Sequence, residues 1–479
     1  MKQNSYRQYQ SPLTERYASP EMLYNFSAEH RFKTWRQVWI ALAEAERELG
    51  LPVTAVQIAE MKRFQDKINY QAAAKLESEL KHEIMAHIRA YGLQCPKAKA
   101  IIHLGATSAL VIDNADLIIY KQGLSVIKKK LINVIKVLAD FALRYKDTPT
   151  MAYTHFQPAL PTTVGKRACL WLNDLMLDLK NLEFVEQNLR CLGVKGAVGT
   201  QASFLTLFNG NKNKVRKLDR LFTKKIGFKE SFEIASQTYS RKVDYQILSV
   251  LSGLAQSACK ASNDIRLLQG LGEMEEPFSR KQIGSSAMAY KRNPIYTERI
   301  SSLARFVIAL EPTAALTAST QWLERTLDDS ANKRLAIPES FLTVDSILGA
   351  YFKLAGGLVI YPAIIKKHLE SEMPFIATET ILMEAVKSGG DRQELHEKIR
   401  QHSMVVQERT KQGLANDLID RLKADRSFQK VKSKLSSLLD PKKYIGLADE
   451  QVINFINQEV RPVLNKNRRL LGWQVTLKV

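Results

Sequence analysis

The run NADLIIYKQGLSVIKKKLINVIKVLADFALRYK, residues 114–146, decides the fold class. Within it Leu117, Leu124, Leu131, Leu138 and Tyr145 recur every seven residues, and Tyr120, Ile127, Val134 and Phe141 form a second series between them. Two interleaved heptad series mark one apolar seam, and a seam sustained this long with charged residues between belongs to a long helix packed in a bundle. A second long helix follows from Val243 onward, where Ile247, Leu254, Ala261 and Leu268 are spaced by seven. Val250, Ala258 and Ile265 widen that stripe, and its small Ala and Ser residues let another helix approach closely. Helical patterns also cover 156–189, 298–310 and 340–354, and amphipathic helices fit 34–49 and 71–91. The latter stop before the glycine-containing turn LGATS, 104–108. The expected fold is therefore all-α, with three domains: an N-terminal helical domain 1–107, a central long-helix bundle 108–360, and a more polar C-terminal helical domain 361–479 that carries SGGDRQ at 388–393.

Composition agrees. The 479 residues are 45% hydrophobic and 25% charged, the balance of a folded globular chain. Only 22 glycines and 15 prolines occur, which disfavours a turn-rich β fold. Cys95, Cys169, Cys191 and Cys259 lie far apart and form no CxxC pair, so neither a zinc ribbon nor a disulfide framework is expected, and a reducing, cytoplasmic setting fits. The N-terminus MKQNSYRQYQ has no apolar signal core, and the uncharged stretch 245–259 is too short and too polar to span a bilayer. The net charge of +21 raises the question of nucleic acid. Its clusters, Lys128–Lys130, NKNKVRK at 211–217 and Lys366 with Lys367, are short and dispersed without aromatic interleaving. They read as solvated helix faces and as attraction for an anionic substrate, with no nucleic-acid partner expected.

Several motifs carry chemistry. HEIMAH, 82–87, resembles a zinc-protease motif, but its histidines are five apart where HExxH needs four, so a helix would point them apart and joint metal ligation fails. His82 alone stays a candidate beside the plain structural reading. GVKGAVG, with Gly193, Gly196 and Gly199, lacks GxGxxG spacing, and no Walker A sequence occurs, so phosphate would be held by cations, hydroxyls or helix N-termini. GSSAMAYKRNP, 284–294, places two hydroxyls and paired cations in a loop bounded by proline. Ser285 or Ser286 could serve there as nucleophile or base and Lys291 as an anion clamp, against the default of a serine-rich surface loop. THFQPA, 154–159, sets His155 just before an expected proline-started helix, where capping and catalysis are equally open.

Together these segments form a pattern. SSAMAYKRNPIYTE, 285–298, resembles the signature SSxMPxKxNxxxxE of the fumarase and aspartase superfamily, and THFQPA resembles its histidine-bearing segment, in the same order. LGATS matches a third conserved region. RYASPEM from Arg16, SQTYSRKVD from Ser236 and ERTLDDSANKR from Glu324 resemble the adenylosuccinate lyase family in particular, over nearly the whole chain and nearest its animal-type members.

The resemblance implies a three-domain helical subunit whose long helices join those of three partners in a twenty-helix homotetramer core, with each active site drawn from three subunits. It implies elimination of fumarate from a succinylated purine nucleotide, with no metal or organic cofactor. By the same resemblance Ser285 is the base, His155 the acid and Glu298 the group that orients the histidine, while Lys291 and His82 complete the catalytic set and Asn293 helps hold the carboxylate on which charge accumulates. Arg16, Tyr17, Lys81, Glu83, Thr107, Ser108, Thr154, Gln237, Arg299, Arg325, Ser330 and Arg334 are the implied substrate contacts, suited to two carboxylates and a phosphate. Three positions depart from the family pattern. Ala289 replaces the signature proline, for which lower but not absent activity is expected. Lys81, His82 and Glu83 stand for Arg-His-Asp, and Leu160 replaces a glutamine. The competing readings are another lyase of the superfamily, such as one acting on argininosuccinate, and a catalytically weak polyanion-binding scaffold.

Overall fold

A computed structural model describes residues 7–475 and 477. The chain is all-α as expected, and the described residues add only two small antiparallel sheets: Pro149–Thr154 with Gln157–Thr163, and Met274–Glu275 with Val359–Ile360. Five long helices pack together at its centre: Ser108–Arg144, Val164–Asn188, Lys242–Gly270, Ile295–Thr320 and Asp329–Gly357. The seam read at 114–146 is the buried face of the first. Leu117, Leu124, Leu131 and Leu138 are fully buried and so are Ile127 and Val134, each contributing roughly 1.5–3 kcal/mol of apolar burial.

Local chemistry starts these helices. The Thr107 hydroxyl accepts the Leu110 N–H (3.4 Å) and the Thr163 hydroxyl accepts the Lys166 N–H (3.0 Å). Ile295–Thr320 is capped from outside: the buried Glu276 carboxylate accepts the N–H of Tyr296 (2.8 Å) and Thr297 (2.7 Å) and the Thr297 hydroxyl (2.6 Å).

Two expected helices come out differently. The pattern at 71–91 is split into Tyr70–Leu80 and Glu83–Gln94. Lys81 takes the left-handed conformation (φ 54°), and His82 is extended and caps the second helix by accepting the Met85 N–H at Nδ1 (3.3 Å). His82 and His87 therefore never shared a helix. At 156–189 the helix starts only at Val164, because Pro158 and Pro161 lie in the second strand of a hairpin. His155 and Phe156 form its two-residue turn, both at positive φ (54° and 57°), so His155 sits at an exposed hairpin tip rather than before a helix.

A second, smaller core gathers Ala377, Ile381, Leu395, Ile399, Leu418 and Phe428 within the C-terminal region. Two apolar surfaces stay uncovered. On Val164–Asn188, Leu170, Leu177 and Phe184 are 50%, 50% and 63% exposed and lie seven residues apart, a heptad seam facing outward. Ile295–Thr320 is long and apolar enough to cross a membrane, although it also carries Glu298, Arg299, Arg305 and Glu311. The uncharged stretch 245–259 lies inside the helix Lys242–Gly270. Ile295–Thr320 packs along Lys242–Gly270 and Asp329–Gly357 and leaves much of its apolar surface outside the chain's own core.

Glu46 is fully buried in the helix Ala28–Glu48, and among the described residues neither of its carboxyl oxygens has a hydrogen-bond partner. Burial pushes its pKa up to about 8. The carboxyl is neutral in the fold below that value, whereas the unfolded chain ionises it from the ordinary 4.5 upward. Stability is thus lost as pH rises through this window, by about 1.4 kcal/mol per pH unit. Glu46→Gln is expected to raise the melting temperature at pH 8 and to flatten its fall between pH 5 and 8. Thermal melts across that range check this, and an unchanged pH profile contradicts it.

Candidate active site

A cavity of about 420 Å³ opens where the start of Ser108–Arg144, the start of Asp329–Gly357 and the Lys81–Glu83 break converge. It collects eight of the sequence candidates: Lys81, His82, Glu83, Ser108, Gln237, Arg325, Ser330 and Arg334. The N-terminus of Ser108–Arg144, capped by Thr107, presents its positive dipole end to an anionic group. Glu83 bridges Arg31 (2.9 Å) and Arg334 (2.7 Å), which fixes two cations at the rim. With Nδ1 accepting a backbone N–H, His82 has Nε2 available to a ligand.

The floor is a buried ionic network that the sequence reading did not single out. Arg241 contacts both oxygens of Asp113 (3.1 and 3.2 Å) and, through Nε, Asp329 (2.6 Å). Asp329 also receives Arg325 (2.9 Å), and Lys333 pairs with Asp116 (2.8 Å) and Asp113 (3.3 Å). Burial alone would push the Asp113 carboxyl up, but the charges of Arg241 and Lys333 outweigh it and hold the group below the ordinary carboxylate range. The network aims Arg325 and ties the helices Ser108–Arg144 and Asp329–Gly357 to Arg241, the residue just before Lys242–Gly270. Asp113→Ala leaves Arg241 short of its bidentate partner and Lys333 short of one carboxylate, so a loss of about 3–5 kcal/mol is expected. Urea unfolding measures it, and a loss under about 1 kcal/mol, the scale of an exposed pair, contradicts the role.

His103, at φ 72°, is a further residue missed in the sequence. Its Nδ1 accepts the Trp39 indole N–H (3.0 Å), and burial together with nearby His82 pushes its pKa down to about 4. It is a neutral imidazole at physiological pH, with its proton on Nε2.

The loop read at 284–294, which with its approach spans 282–294, is exposed over most of its length. Its neck is closed by Asn293 Nδ2 donating to the Gly284 carbonyl (2.7 Å), and a Cβ at Gly284 would lie 2.1 Å from the Lys291 carbonyl oxygen, so only glycine allows this approach. Inside the loop the Ser285 Oγ accepts the N–H groups of Ala287 (3.3 Å) and Met288 (3.0 Å). The Lys291 N–H returns to the Met288 carbonyl (3.0 Å), which puts Ala289 second in a four-residue turn. Proline is favoured there because it presets φ, so alanine keeps the turn and loses its stiffness. Glu298 and Arg299 follow in the first turn of Ile295–Thr320, and Arg299 lies 5.7 Å from the Tyr17 ring centroid. Tyr17 and Arg16 are held in turn through Ser19, whose N–H (2.7 Å) and hydroxyl (3.0 Å) donate to Asp345, itself paired with buried Lys130.

Thr154 and His155 stand on the hairpin, whose base is anchored by buried Glu273. That carboxylate accepts the Thr150 hydroxyl (3.1 Å) and Tyr153 hydroxyl (3.2 Å) and meets His368 Nδ1 (2.8 Å) from the helix Pro362–Ile376. Neither the hairpin nor the 282–294 loop lines the cavity of the same chain. The candidates thus fall into separate groups: a cationic cavity, a hydroxyl-bearing loop with the Arg16, Tyr17 and Arg299 cluster behind its exit, and a histidine on a projecting tip. Among the described residues no set of three or more His, Cys, Asp or Glu side chains is arranged to hold a metal ion.

Comparison with known proteins bears on the whole chain. A lyase family model matches residues 15–309, and a model described as the adenylosuccinate lyase C-terminus matches 374–455. The adenylosuccinate lyase of Saccharomyces cerevisiae is 47% identical over 482 residues, covering 99% of each chain, and that of Schistosoma mansoni is 47% identical over 472 residues, covering 98% of each. Among solved structures, a fumarate lyase from Mesorhizobium sp. BNC1 superposes with a TM-score of 0.80 at 23% identity, over 93% of this chain and 99% of the other, and so supports the fold. With the resemblance sustained from end to end, the chain belongs to the adenylosuccinate lyase family.

Proposed function

We propose that this protein cleaves adenylosuccinate to AMP and fumarate, and likewise the succinyl-aminoimidazole-carboxamide ribotide to its carboxamide. The observation that carries the mechanism is the Ser285 hydroxyl, held in an exposed loop with two main-chain N–H groups directed at its oxygen. A serine is a weak base unless its alkoxide is stabilised, and such donors, with the Lys291 charge on the same loop, supply that stabilisation once water is excluded. Ser285 takes the proton from the succinyl carbon next to the carboxylate. The electron pair left behind spreads onto that carboxylate, opposite Lys291 and Asn293. The C–N bond then breaks, and His155 gives its proton to the departing purine nitrogen. Arg325, Arg334, Lys81 and the start of Ser108–Arg144 receive the anionic ends of the substrate, and His82 donates through Nε2.

A homotetramer completes the site. The outward heptad seam of Leu170, Leu177 and Phe184 and the lightly covered helix Ile295–Thr320 suit burial against other copies. Such packing brings the hairpin of one subunit and the loop of another to the cavity of a third. The separate C-terminal core supports a distinct C-terminal domain, while the proposed N-terminal and central domains share one continuous core, and a cytoplasmic location fits the reduced cysteines.

The test is direct. Purified protein mixed with adenylosuccinate is expected to release fumarate and AMP in equal amounts. Release of fumarate from argininosuccinate but not from adenylosuccinate overturns the substrate assignment.

A further inference from the structure

The excess positive charge is not spread evenly. The helix Lys212–Lys225 carries seven cations in fourteen residues and a single acid, Asp219. Asp219 is already engaged, accepting the Val194 N–H (2.9 Å), Lys195 Nζ (2.8 Å) and the Ser231 hydroxyl (3.0 Å), so it offsets nothing at the surface. Val215, Leu218 and Phe222 are buried and fix the helix's orientation. Lys212, Arg216, Arg220 and Lys224 then follow one another at intervals of four on the opposite side, with Lys217 beside them, and all five are exposed. Each step of four rises about 6 Å, close to the distance between successive phosphates on an extended strand, and at about 100° per residue the five cations occupy a sector of about 140°. Among the described residues none of the five forms a salt bridge with a carboxylate. The sequence showed only the NKNKVRK half of this row, and the fold extends it to Lys224.

We propose that this ridge binds the phosphate backbone of a nucleic-acid strand, without reading its bases. A membrane-inserting helix would need its apolar side, which here is spent in the chain's own core. A row of cations without carboxylate partners among the described residues, and with no exposed aromatic among them, gives sequence-independent, salt-sensitive binding. The ridge is also remote from the cavity. Lys225 at its end pairs with Glu44 (3.4 Å) and Glu48 (2.6 Å) at one end of Ala28–Glu48, whereas Arg31, a cavity residue, lies near the other, about 20 Å along the helix. Nucleic-acid binding and lyase chemistry are therefore separable.

The experiment uses the full chain, a labelled single-stranded RNA 20-mer of mixed sequence, and phosphatidylserine vesicles. The logarithm of the RNA binding constant is expected to fall with the logarithm of salt concentration with a slope near −3, about 0.7 for each of four neutralised phosphates. The variant Lys212→Gln, Arg216→Gln, Arg220→Gln, Lys224→Gln is expected to lose at least about tenfold in low-salt affinity and most of that slope. Its melting temperature and its rate of fumarate release should match the parent's. RNA binding that is absent, that survives in the variant, or that is replaced by vesicle binding overturns the proposal, whatever the outcome of the lyase assay.

Discussion

Ser285→Ala is expected to lower kcat for fumarate release by about 10³–10⁴-fold with KM changed only a few-fold, because in the proposed mechanism it removes the group that takes the carbon-bound proton and little that binds the ground state. The substitution is isosteric apart from the oxygen, and the two N–H groups that Ser285 accepts can turn to water in an exposed loop. The fold should therefore survive, as a melting curve would verify. The neighbouring Ser286, also exposed, is the internal control. If Ser286→Ala is the damaging change and Ser285→Ala keeps its rate, the assignment of the base fails. The parent rate should also rise with pH more steeply than that of the variant, since only the parent needs an alkoxide.

A comparable loss is expected for His155→Ala, about 10²–10⁴-fold in kcat, because the purine amine leaves poorly without a proton. His155 lies at a hairpin tip and is exposed, so its replacement disturbs no core. The more telling result comes from mixing. Subunits with Ser285→Ala and subunits with His155→Ala, each inactive alone, should regain activity when dissociated and reassembled together, because some sites then take their serine and histidine from intact loops and hairpins. Failure to regain any activity in demonstrably mixed tetramers would mean that both groups come from one chain.

Much of the architecture was legible because burial and periodicity coincide. Leu117, Leu124, Leu131 and Leu138 are seven apart and fully buried, so the sequence displays the seam it packs. The break at Lys81 and His82 had no such sign. Neither glycine nor proline marks it, and a lysine adopts the left-handed conformation that tertiary packing imposes. The hairpin was hidden for a similar reason: its turn uses His155 and Phe156 where Asn-Gly would have announced it. The candidate site residues came from motif likeness rather than from periodicity, and the groups that support them did not emerge. Asp113, Arg241, Asp329 and Lys333 are charges drawn from two helices and the residue just before a third, far apart in sequence, and each reads alone as an ordinary polar residue. Only their shared burial shows that they organise Arg325.

Glu273 has a reach beyond its own neighbourhood. One carboxylate joins Thr150 and Tyr153 at the hairpin base to His368 in the C-terminal part of the chain. A lesion at His368, far along the chain from His155, would tilt the arm that carries it. Inherited or engineered changes there would masquerade as faults of chemistry while leaving substrate affinity intact.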